Sequence, residues 1–124
     1  MINVKHFMDA IEPTDGSRIW VEPIRLTRDL TEWCQITYTL CCVAPPQHLC
    51  DWLDQHPHGY DYFQGQYHDW LNKSHFKPAL QRLVCEARRE TITLLHQSSD
   101  PQQNSATALH EFLIELEAYC SRDE

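Results

Sequence analysis

Seven residues, Arg18, Arg25, His96, Ser98, Ser99, Asn104 and Ser105, are of the types that hold a small anion through cations, hydroxyls and amides. Five of them follow the apolar run Ile92–Thr93–Leu94–Leu95, which reads as a buried strand, and lead into an amphipathic stretch running to Cys120. In open α/β proteins ligands gather outside the carboxyl ends of strands, where helix N-termini present free N–H groups and the positive end of the dipole. Asp100 opposes an anion there. As an N-cap, its carboxylate occupies the same amides, and the plain alternative is an ordinary capped helix.

A second group, His48, Cys50, Asp51, Asp54, His56 and His58, is the densest set of metal-ligand types. His48 and Asp51 are three apart and share a helix face, with His56 and His58 at the helix end, so these four are the candidate ligands for zinc or a similar metal. No Cys-x-x-Cys or His-Glu-x-x-His pair supports them, and a solvated, histidine-bearing helix is the plainer reading. Cys50 lies two residues from His48, a spacing at which helical side chains do not face one another, so an activated thiolate is not indicated. Ser99, His96 and Asp100 lack the strained Gly-x-Ser-x-Gly elbow of a hydrolase triad. No motif calls for a cofactor.

Charge narrows the partners. The 124 residues carry 18 Asp and Glu against 10 Lys and Arg, a formal charge of −8. Apart from Arg88–Arg89 the cations are scattered, which disfavours nucleic acid. No apolar run approaches a membrane span and the N-terminus has no secretory apolar segment, so the expected compartment is the cytoplasm. Six cysteines without an export signal read as reduced thiols, with Cys85 and Cys120 expected near apolar helix faces. Trp52, Tyr60, Tyr62, Phe63, Tyr67 and Trp70 crowd one stretch; most belong to a core, while Tyr62 and Trp70 are candidates for a protein contact.

The elements that must position these groups follow from periodicity. Ile2–Phe7 and Arg18–Glu22 read as strands, the second closed by Pro23. Arg25 to Glu32 reads as a loop or short helix. Cys34–Val43 alternates Ile36, Tyr38, Leu40 and Cys42 against Thr37, Thr39 and Cys41, which predicts a half-buried third strand. Pro45 and Pro46 suit the first turn of a helix bearing Leu49, Trp52 and Leu53. Tyr60, Phe63, Tyr67, Trp70 and Leu71 form another helical stripe. Ser74 is the expected cap of a third helix, with Leu80, Leu83, Val84 and Ala87 inward. Asp100, Pro101 and Gln103 form a capping-box variant that starts the last helix.

Three blocks resemble the YeaO-like domain-of-unknown-function family of bacterial α/β proteins. They are Thr14–Asp15–Gly16–Ser17–Arg18–Ile19–Trp20–Val21; Trp52–Leu53 through His56–Pro57 with Tyr60, Phe63, Tyr67 and Leu71; and Ile92–Thr93–Leu94–Leu95 with Asp100–Pro101 and Asn104. The family's Asp-Arg-Leu-Trp-Pro-Arg-Gly segment is here Glu22 to Arg28. Cys50, Gln55, Ser99 and Ser105 stand where it has Arg, His, Lys and His. The resemblance implies a rim that has lost the cations able to converge on an anion.

The expected fold is a single three-layer α/β domain over residues 1–124, with about four mostly parallel strands flanked by helices. The expected function is non-enzymatic: a protein-interaction or regulatory module with a protein partner, oligomeric state unread. A small-anion binder or enzyme at the rim after Leu95, and a metal site, are the alternatives.

Overall fold

In the computed structural model, which describes the backbone of residues 1–122 and their side chains except those of Ser74 and residues 119–122, one sheet organises the chain. Its strands are β1 (Ile2–His6), β2 (Ser17–Trp20), β3 (Tyr38–Thr39) and β4 (Ile92–His96), in the order β1-β4-β2-β3. Every pairing is parallel. The chain is a single α/β domain. β4 lies between two neighbours and all five of its residues are buried, which is why its sequence is a continuous apolar run rather than an alternation.

Five helices complete the fold: α1 (Arg28–Trp33), α2 (Gln47–Gln55), α3 (Tyr60–Leu71), α4 (Lys77–Arg89) and α5 (Ser105–Arg122). Among the described residues, none is long and apolar enough to cross a membrane. Strand alternation sends Ile19, Val21, Ile92 and Leu94 into one core with Phe63, Tyr67, Leu71, Leu83, Leu109 and Leu113 of the helices. The opposite face carries Lys5, Arg18, Trp20 and Thr93 toward the segment after β1 and toward α1. There the buried Asp15 receives Lys5 Nζ at 3.0 Å and Arg18 Nη1 at 2.6 Å, while Arg18 Nε donates to the Cys34 carbonyl at 3.0 Å. Burial pushes the Asp15 carboxyl up, but the Glu12 N–H, Lys5 and Arg18 outweigh it and hold the group below the usual carboxylate range.

Gly16 turns the chain from this cluster into β2 with φ +64°, and a Cβ there would collide with the Thr91 carbonyl.

Four expectations are corrected. The third strand is only Tyr38–Thr39: Cys34 closes α1, Gln35 takes φ +51°, and Cys41–Val43 is a 3₁₀ turn. The left-handed backbone at Gln35 and the 3₁₀ turn at Cys41 bound the extended stretch on either side, and side-chain alternation registers neither. Pro45 and Pro46 precede α2 instead of forming its first turn. α4 begins at Lys77 after a 3₁₀ turn over Ser74–Phe76, with Phe76 at the cap and Pro78 in the first turn. Cys85 is exposed on α4, off its apolar face, whereas the side chain of Cys120 lies outside the described residues. Cys34, Cys41, Cys42, Cys50 and Cys85 are free thiols.

Candidate functional site

The turn leaving β4 is a ladder of side-chain to backbone bonds. His96 Nδ1 accepts the Ser98 N–H at 3.1 Å, and Ser98 Oγ accepts the Asp100 N–H at 3.1 Å. Asp100 Oδ1 accepts the N–H groups of Gln102 and Gln103 at 2.9 and 3.1 Å. Asn104 then donates to the Asp100 carbonyl at 2.9 Å and accepts the Thr107 N–H at 2.8 Å. Asn104 therefore caps α5. The Asp100–Pro101–Gln103 start is displaced by four residues, because an Asp of this kind satisfies a turn as well as it satisfies a helix end.

This turn is the wall between two clefts, and Ser98 and Ser99 line both. The larger, about 490 Å³, opens between the ends of β2 and β4 and helix α2. Glu22, Asp51 and Asp54 give it three carboxyl groups, with Cys50, Gln97, Asn104 and Ser105 among the other lining residues and no basic side chain. Glu22 is 5% exposed and receives Gln97 Nε2 at 3.4 Å. Burial, with Asp54 adding to it, pushes the Glu22 carboxyl up to about 7 against the hydrogen bonds of Ser105 and Gln97. Burial also pushes the Cys50 thiol up to about 12, helped by Glu22, so no thiolate nucleophile forms at neutral pH. A shallower extension of about 190 Å³ runs past Asp54 and Pro57 to Asp100.

The smaller cleft, about 250 Å³, lies at the ends of β1 and β4 and is lined by Val4, Lys5, His6, Asp9, His96, Ser98, Ser99 and Pro101.

The structure gathers His96, Ser98, Ser99, Asn104 and Ser105 around these openings. It does not bring the two arginines there. Arg18 sits near the amino end of β2, held by Asp15 and Cys34, and Arg25 is exposed outside the clefts' linings. Its place at the start of a strand explains the Arg18 error: a motif position does not say which end of the sheet a side chain occupies. Nor do His48, Asp51, His56 and His58 converge. Asp51 takes a hydrogen bond from Gln47 at 2.9 Å, and His56 stacks on Trp52 at 4.4 Å with Nδ1 2.8 Å from the Trp52 carbonyl. Among the described residues no group of three or more His, Cys, Asp or Glu is placed to hold a metal ion.

Tyr62 is exposed with its ring 4.7 Å from Trp52, whereas Trp70 is half-buried against Phe76 at 4.2 Å. Glu22, Gln97 and Asp9 escaped the sequence reading, as did the pairing of His6 with His96. A buried glutamate leaves no local pattern. His6 opposite His96 becomes visible only with the strand order.

A family model described as DUF488-N3i, the inactive DUF488-N3 subclade, matches residues 1–123. No curated protein and no solved structure matches the chain.

Proposed function

We propose that this chain, which belongs to the inactive DUF488-N3 subclade, acts by binding rather than by catalysis, as an interaction or regulatory module for a basic segment of a partner protein. The observation that carries this reading is the larger cleft, where Glu22, Asp51 and Asp54 meet without a basic side chain or an ionised thiol. An anion entering it would face the Asp51 and Asp54 carboxylates with no basic side chain to offset them. A lysine or arginine side chain would exchange water for carboxylate hydrogen bonds, and the overall charge of −8 would speed its approach. α2 also sets Trp52 against the exposed Tyr62, a surface able to take a guanidinium on an aromatic face for about 0.5–1 kcal/mol.

The finer kinship, to the YeaO-like proteins, rests on the three sequence blocks. Under it, Ser99, Ser105 and Cys50 mark the replacements that turned a cationic rim into an acidic one. The free thiols suit a reducing, cytoplasmic setting.

Fluorescence anisotropy with a labelled lysine- and arginine-rich peptide tests the reading. Binding is expected at low salt, falling steeply as salt rises, with a matched acidic peptide silent. Asp51→Asn with Asp54→Asn, and separately Tyr62→Ala, should each weaken it. Equal binding of the acidic peptide, or indifference to the charge substitutions, would overturn it.

A further inference from the structure

The smaller cleft has a chemistry of its own. Parallel register sets His6 of β1 beside His96 of β4, so both imidazoles project from the same face of the sheet. Their centroids are 5.6 Å apart and their planes meet at 88°. Each ring accepts a backbone N–H on Nδ1, from Met8 on His6 and from Ser98 on His96, both at 3.1 Å. A backbone N–H can only donate, so Nδ1 is the bare nitrogen and the neutral ring's proton sits on Nε2. Neither Nε2 meets a partner among the described residues, and although the His96 residue is 2% exposed its Nε2 is not sealed in, since the ring lines the cleft. Metal ligation would need Nε2 bare, so the fixed tautomer opposes it. An Nε2–H suits an oxygen acceptor.

Charge narrows that acceptor. Burial, with His6 adding to it, pushes the His96 imidazole down to about 4, so the ring is uncharged at neutral pH. The Lys5 ammonium is committed to the Ala10 carbonyl at 2.6 Å, to Glu12 at 3.3 Å and to Asp15 at 3.0 Å. Asp9 adds a carboxylate whose Oδ2 accepts the His6 N–H at 3.0 Å, leaving Oδ1 without a partner among the described residues. An oxyanion would therefore meet the Asp9 carboxylate and no uncommitted cation. A carbonyl with an adjacent N–H satisfies the whole set: its oxygen takes the imidazole N–H groups, and its N–H is given to Asp9. Val4 and Pro101 supply apolar wall for the rest.

We infer that the cleft between His6 and His96 is a binding site for a neutral ligand presenting an amide or imide edge. It is independent of the acidic cleft across the turn, and neither reading needs the other.

Nitrogen-15 NMR with succinimide as probe, and acetate and phosphate as anionic controls, tests it. The free protein should show Nε2-protonated, Nδ1-bare rings at His6 and His96. Succinimide should shift those nitrogens and the Ser98 and Ser99 amides saturably, while acetate and phosphate leave them in place. Asp9→Asn keeps an oxygen for the His6 N–H but removes the second acceptor, and should weaken succinimide about tenfold without changing the melting temperature. His6→Phe, which keeps a ring and deletes the donor, should weaken it similarly. Nδ1-protonated rings, an absent succinimide response, or stronger shifts with either anion would each overturn the assignment.

Discussion

At the scale of single residues, Glu22 decides how the rim responds to pH. Its carboxyl titrates near 7 in the fold and near 4.5 in the open chain, so the folded state binds the proton more tightly. Its stabilising contribution is whole below about pH 4.5 and is lost as pH rises through 7, a difference on the order of 3 kcal/mol. Glu22→Gln, which keeps the hydrogen-bonding shape, should therefore raise the melting temperature markedly near pH 8 and little near pH 5, as read by calorimetry at both. His96 titrates in the opposite sense, since its depressed pKa removes stability as pH falls through about 4. The chemistry of the rim was half legible in the sequence. Ser98, Ser99, Asn104 and Ser105 were recognisable because they follow an apolar strand, whereas Glu22 was hidden because burial, not neighbours in the chain, makes it unusual. Trp70 reads differently too: packed on Phe76, it serves the core more than a surface.

At the scale of elements, the start of α5 separates two residues that look alike on paper. Asn104 is buried, caps the helix and braces the turn through the Asp100 carbonyl. Asp100 binds two turn amides at an exposed position. Asn104→Ala should cost about 1–2 kcal/mol in urea unfolding, and Asp100→Ala about 0.5 kcal/mol. A larger loss at Asp100 would reverse the assignment of the cap. Gly16 offers a sharper contrast. Its φ of +64° and the approach of the Thr91 carbonyl leave no room for a methyl group, so Gly16→Ala should cost at least about 2 kcal/mol by the same measurement. β1, β2, β4 and the stripes of α2 to α4 were legible because burial imposes their periods. β3 was overread: an alternating run such as Cys34–Val43 fits a strand, but a chain reversal at Gln35 and a 3₁₀ turn at Cys41 cut it to two residues.

At the scale of the whole molecule, the two faces of the sheet are built differently. One packs apolar helices, while the other closes over the Lys5–Asp15–Arg18 cluster, in which Arg18 Nη2 has no partner among the described residues. Strand order was not legible, because nothing local to Ile92–His96 says that it inserts between β1 and β2. That insertion has a consequence for birth at the ribosome. β1 and β2 emerge early but do not pair with each other; β2 gains β3 soon afterwards, whereas β1 must await β4, synthesised after most of the chain. Throughout that interval the nascent polypeptide displays β1 unpaired and one flank of β2 open, and only the fourth segment zips the halves together.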